Sequence, residues 1–115
     1  MKIPENGRLL RIFIGESDRW HHQSLYEAII LKARESGLAG ATVLRGSMGF
    51  GASSLLHTAK ILRLSADLPI VIEIVESEEK INQFLPHLDE MVLEGLVTIE
   101  DVRVIKYRAN GPKPA

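Results

Sequence analysis

Apolar and polar positions alternate from Arg8 to Gly15, with Leu10, Ile12 and Ile14 on one side and Leu9, Arg11 and Phe13 on the other. Period two over eight residues predicts a strand. Gly15 ends it, and Glu16, Ser17 and Asp18 read as a polar connector. The period then changes to that of a helix, reaching to about Ser36, with Leu25, Tyr26, Ile29, Ile30 and Ala33 gathered on one side. Ser24 and Glu27 have capping-box spacing at its start, and Gly37 suits the residue just beyond its end. Ala41 to Arg45 predicts a second strand and Asp67 to Glu76 a third, with Ile70, Ile72 and Ile74 sharing a face opposite Val71, Glu73 and Val75. Between them, residues 46–66 show no clean period, and connections of that length in small domains are usually functional or mobile. Ser77 can cap a second helix whose stripe is Ile81, Phe84, Leu85, Leu88, Met91 and Val92, with Pro86 opposite and expected to kink it. Gly95 ends that unit. Val97 to Tyr107 predicts a last strand, bulged near Glu100-Asp101, and residues 108–115, rich in proline, predict a loose tail.

The order β-α-β-β-α-β predicts an α+β, ferredoxin-like sandwich: a single domain over residues 1–107, with two helices on one sheet face and a long loop between the second and third strands. The other face would carry Leu9, Phe13, Val71 and Val75. An apolar patch of that kind needs a cover, and the economical one is a second copy of the chain, so a homo-oligomer is expected. Glu73 on the same face needs a partner, for which Arg11 and Arg103 are the candidates. An interface ion pair is favoured there over a catalytic acid.

Composition narrows the function classes. Fourteen Lys and Arg against fifteen Asp and Glu give a net charge of −1, which argues against a protein that coats nucleic acid. Aromatics are 5% of the chain, too few for base stacking. There is no cysteine, which excludes disulfides, Cys-zinc sites and thiol nucleophiles. No run approaches the ~20 apolar residues of a membrane span, and the first residues lack a signal-peptide core, so a cytoplasmic location is expected. No histidine or carboxylate spacing predicts a metal site; His21, His22 and His87 read as surface residues, and His57 is the one considered as a ligand contact. No catalytic constellation stands out. The strongest local signal is Arg45-Gly46-Ser47-Met48-Gly49-Phe50-Gly51, in a stretch free of acids from Ser36 to Ala66. It reads either as a flexible hairpin, which composition favours, or as a backbone cradle for phosphate beside the Arg45 fork.

The runs Gly15-Glu16-Ser17-Asp18, Leu25-Tyr26-Glu27-Ala28-Ile29, Gly40-Ala41-Thr42-Val43-Leu44-Arg45-Gly46 with Met48-Gly49-Phe50-Gly51, Leu64-Ser65-Ala66-Asp67-Leu68-Pro69, Glu79-Lys80-Ile81 and Gly95-Leu96-Val97-Thr98 resemble, in this order, a bacterial and archaeal PII-like family of unknown function. The resemblance covers about residues 8–107. It implies a trimer related in fold to the nitrogen-regulatory PII proteins: a non-enzymatic signalling protein with no required cofactor, binding an adenine nucleotide between subunits and regulating a partner, with a membrane transporter or channel as the candidate class. Carried over by position, the nucleotide contacts are Arg45, Gly46, Gly49, Phe50 and Gly51 at the loop base and Thr98 across the cleft; His57, the histidine considered above, lies in the loop between them. Where PII proteins have a second phosphate loop, this chain has Leu93-Glu94-Gly95-Leu96, and residues 46–66 contain no tyrosine. AMP or ADP is therefore expected rather than ATP. The alternatives carried are a trimeric divalent-metal tolerance protein and a small acylphosphatase-like enzyme on the same scaffold.

Overall fold

A computed structural model describes residues 3–51, 57–58 and 67–108. Its frame is a four-stranded antiparallel sheet made of β1 (Asn6–Gly15), β4 (Thr42–Arg45), β7 (Pro69–Glu76) and β8 (Leu96–Arg103). The order across the sheet is β4-β7-β1-β8, so β1 and β7 are central and β4 and β8 are the edges. Two helices, α1 (Leu25–Glu35) and α2 (Glu78–Met91), supply the second layer. This is the ferredoxin-like arrangement expected from the element order.

Register explains the core. Leu10, Ile12 and Ile14 of β1 lie opposite Ile74, Ile72 and Ile70 of β7, so six branched side chains stand on one face of the two central strands. All six are buried under Leu25, Ala28, Ile29 and Ala33 of α1 and Ile81, Phe84, Leu88 and Met91 of α2. The helices face inward with the stripes that their periodicity predicts, Leu85 and Val92 packing at the margin. Glu76 is the one buried charged side chain among the described residues. Its carboxylate accepts from the backbone N–H of Ala39 at 2.7 Å and of Ser77 at 2.9 Å, which ties the segment after α1 to the β7–α2 junction.

The helix ends agree with expectation at three of four places. Gly37, at φ +75°, follows the α1 C-cap, and its N–H and that of Leu38 donate to the carbonyls of Arg34 and Ala33 in a Schellman closure. Ser77 accepts from the Lys80 N–H at the start of α2, and Gly95 follows α2. Ser24 is the N-cap of α1, but its side chain makes no cap bond, so the expected capping box is not formed. The reason is a hairpin in what reads as a plain connector: β2 (Arg19–Trp20) pairs with β3 (Gln23–Ser24). His21 and His22 turn it in the left-handed region, at φ 47° and 55°. The Leu25 N–H, the first of the helix, donates to the Asp18 carbonyl across the base of this hairpin.

Two further expectations are corrected. The last strand ends at Arg103 rather than Tyr107. Its register against β1 also runs without interruption from Phe13↔Leu96 to Asn6↔Arg103, so there is no bulge at Glu100-Asp101. Inside the long loop, β5 (Met48–Gly49) pairs with β6 (His57–Thr58), which makes the base of the loop a hairpin. The rest of the loop, residues 52–56 and 59–66, and the tail over 109–115 lie outside the described residues.

Candidate functional site

The turn that leaves β1 is built from backbone bonds. The Gly15 N–H donates to Asp18 Oδ2 (2.9 Å), the Ser17 N–H to Asp67 Oδ1 (3.1 Å) and the Glu16 N–H to the Leu68 carbonyl (2.8 Å). Asp67 Oδ1 would lie 2.6 Å from a Cβ at Gly15, so the carboxylate fits there because glycine carries none. Residues 15–18 and 67–69 thus form one node, at the end of the sheet where β4 runs into the hairpin. The runs Gly15-Glu16-Ser17-Asp18 and Asp67-Leu68-Pro69, which mark the family resemblance, meet there.

Arg45, the last residue of β4, brings the hairpin base to this node. Its guanidinium forms an ion pair with the Glu16 carboxylate. The Arg45 side chain is 59% exposed and that of Glu16 only 15%, so the cation is open and its partner sheltered. Residues Glu16, Asp18 and Asp67 are not singled out by charge pattern; their sequence signal is the two short runs that carry the family resemblance.

The glycines of the hairpin base serve packing. Gly46 donates its N–H to the Pro69 carbonyl at 2.7 Å, and a Cβ on Gly46 would stand 2.8 Å from Pro69 Cγ. A Cβ on Gly49 would stand 3.0 Å from the same atom. Neither glycine has a positive φ. The close approach of the Pro69 ring, rather than a left-handed turn, explains both, and the Gly46 N–H is committed within the protein. Phe50 is 73% exposed and Gly51 is also exposed. His57 sits opposite Gly49 through its backbone. The structure therefore brings Arg45, Gly46, Gly49, Phe50, Gly51 and His57 to one end of β4.

Thr98 is elsewhere. It lies on β8 opposite Arg11, and β8 is the far edge of the sheet from β4. Three strand spacings of about 4.8 Å separate the edges within one chain. Thr98 shares the helix-free face with a polar row, Thr42, Glu73 and Arg11, beside an apolar row of Leu44, Val71, Phe13 and Leu96. Arg11 Nε donates to Glu73 Oε2 at 2.8 Å and its Nη1 pairs with Glu100, while Arg103 pairs with Glu5. Of the two candidates, Arg11 is thus the partner of Glu73. The Glu73 bond, and then the charge of Glu100, raise the Arg11 pKa above its ordinary value. Among the described residues no group of three or more His, Asp or Glu is placed to hold a metal ion, and no helix is long and apolar enough to cross a membrane.

Comparison with known proteins agrees with this fold. Residues 7–104 match the DUF190 family, described as uncharacterized ACR. A UPF0166 protein of Aquifex aeolicus is 40% identical over 98 residues, covering 85% of this chain and 92% of its own. A UPF0166 protein of Methanocaldococcus jannaschii is 37% identical over 100 residues, covering 86% and 92%. Among solved structures, a Thermus thermophilus protein described as a candidate PII-like signaling protein superposes with a TM-score of 0.63 at 19% identity, over 87% of this chain and 90% of that one. CPII of Thiomonas intermedia, a nitrogen regulatory PII-like protein bound to ADP, AMP and bicarbonate, gives 0.63 at 17% identity over 90% and 97%. At such identities the likeness concerns the fold, whereas the family match spans nearly the whole described chain: the protein belongs to the DUF190 family and has a PII-like, ferredoxin-like fold.

Proposed function

We propose that this chain is a non-enzymatic regulatory protein that binds an adenine nucleotide, AMP or ADP, between subunits of a homotrimer and alters its fit to a partner protein. The observation that carries the reading is the exposed Arg45 guanidinium at the hairpin base, on the strand edge opposite the one that holds Thr98. Within one chain the two edges lie about 14 Å apart, and two neighbouring chains can bring them together. The apolar row Leu44-Val71-Phe13-Leu96 supports a cover by further copies, because a four-residue apolar band across a sheet is costly to leave in water. The fold shared with CPII, which holds ADP and AMP, supports the ligand class.

The hairpin base then acts as the sensor. A phosphate group that reaches Arg45 gains a charge-assisted, bidentate contact. Because Arg45 leads directly into the paired β5–β6 segment, engaging it biases the orientation of the loop that would meet a partner. A membrane transporter or channel is the partner class that the family resemblance suggests. Calorimetry with AMP, ADP and ATP, alongside light scattering, tests the reading. Arg45→Ala should weaken binding roughly ten- to a hundredfold. A monomer at micromolar concentration, or a folded wild type that binds none of the three, would refute it.

A further inference from the structure

We infer that Glu16 is a specificity residue of the Arg45 site: its carboxylate offsets the guanidinium and so limits the phosphate charge that the site accepts. The inference deepens the nucleotide reading and rests on it. Two observations carry it.

The first is the pairing itself. Among the described residues of the hairpin base, Arg45 is the one lysine or arginine. It is held by Glu16, and a ligand phosphate must share or take that cation. The Gly46 N–H, bound to Pro69, is not available to contribute in its place. The second is that the Glu16 backbone is pinned. Its own N–H is tied to Leu68, and the residues on either side are tied to Asp18 and Asp67. The backbone that carries the carboxylate is therefore fixed beside Arg45, and the two can part only by side-chain rotation.

The consequence is electrostatic. Glu16 and Arg45 together are close to neutral, so added phosphate charges gain little from the pair. With the carboxylate neutralised, the guanidinium acts unopposed and every added phosphate charge gains. At a separation of about 6 Å, with water's dielectric constant and little salt, the gain is about threefold in affinity per added charge. Sheltering of Glu16 raises it further. The wild-type site should thus favour the less phosphorylated nucleotides, and Glu16 should be the reason.

The test compares wild type, E16Q, E16A and R45A by titration calorimetry with AMP, ADP and ATP at one low salt concentration, with a melting curve for each protein. E16Q and E16A should bind all three nucleotides more tightly than wild type, with the gain rising from AMP to ADP to ATP. R45A should weaken all three. If E16Q and E16A bind as wild type does, or gain equally on each nucleotide, the inference falls while the nucleotide site stands. If the folded proteins bind no nucleotide, the nucleotide reading falls. The inference is then decided with tripolyphosphate, followed by the ¹⁵N shift of the Arg45 side chain. A larger response in E16Q than in wild type upholds it; an equal or absent response overturns it.

Discussion

The contact between Gly46 and Pro69 can be tested by adding one methyl group. In Gly46→Ala the new Cβ would lie 2.8 Å from Pro69 Cγ and 3.5 Å from the Pro69 carbonyl oxygen. Carbon atoms prefer about 3.5–4.0 Å, so the ring or the strand must yield by roughly 0.7 Å. The ring can yield little, since it is closed onto its own backbone, and the strand is held by the Gly46 N–H bond to Pro69 at 2.7 Å. Overpacking of this kind costs about 1–3 kcal/mol. Removing glycine's freedom in the unfolded chain returns about 0.4–1 kcal/mol, leaving a net loss centred on about 1.3 kcal/mol. Urea denaturation at fixed protomer concentration measures it, and the decisive comparison is the double-mutant cycle with Pro69→Ala. Pro69→Ala alone should destabilise slightly, by losing proline's restriction of the unfolded chain. In its presence the alanine at 46 should be tolerated, giving a favourable coupling of at least about 1 kcal/mol. Additivity within about 0.5 kcal/mol, or a Gly46→Ala protein as stable as wild type, would show that the ring contact is not why this position is glycine.

Ser77→Ala should cost about 1 kcal/mol by removing the cap bond to Lys80, whereas Ser24→Ala, whose side chain makes no such bond, should change thermal stability little; equal losses would contradict the two observed helix starts. Phe84→Ala should cost about 3–5 kcal/mol in denaturant unfolding, because the ring is 1% exposed at the centre of the α2 stripe, and a loss below about 1 kcal/mol would contradict that placement. The Arg11 pKa is raised in the folded state, so its contribution is complete below the ordinary arginine pKa and is lost only as pH rises through the higher folded value. The stability difference between wild type and Arg11→Ala should therefore be flat from about pH 7 to 10, and a steady decline across that window would refute the sign.

Much of the frame is legible in the chain because each core element buries one face against a partner. Ile12 and Ile72 come to face each other because strict period two leaves a strand one way to bury its isoleucines. The hairpin at Arg19–Ser24 is hidden because a His-His turn carries none of the glycine or asparagine that usually marks two left-handed residues. The β5–β6 pairing is hidden because two-residue strands show no period. At the site, Arg45 and the glycines are legible as a cluster, but their roles differ from the simplest reading. Gly46 and Gly49 look like backbone freedom and turn out to be space for Pro69, a residue far along the chain from both. Glu16 is invisible as a partner for Arg45 because the pair is 29 residues apart and joins only once β1, β7 and β4 are ordered side by side.

That ordering links ligand binding to assembly. If a nucleotide is held by Arg45 of one chain and Thr98 of the next, it binds the assembled protein and not the separated chains, because one chain presents these residues on opposite sheet edges. Occupied sites must then stabilise the assembly by the same free energy by which assembly strengthens binding. At a hundredfold excess of ligand over its Kd, each site contributes about 2.7 kcal/mol. Three sites in a trimer contribute about three times that, enough to move the dissociation midpoint by orders of magnitude in protomer concentration. Sedimentation velocity across a dilution series, with and without saturating ADP, reads this directly. The oligomer should persist to much lower concentration with ADP, and at the same ADP concentration Arg45→Ala should shrink the contribution per site to about 0.4–1.4 kcal/mol while leaving the ligand-free midpoint in place, since Arg45 pairs with Glu16 within its own chain. A nucleotide that binds tightly yet leaves the midpoint unmoved would place the whole site within one subunit, and Thr98 would then have no part in it.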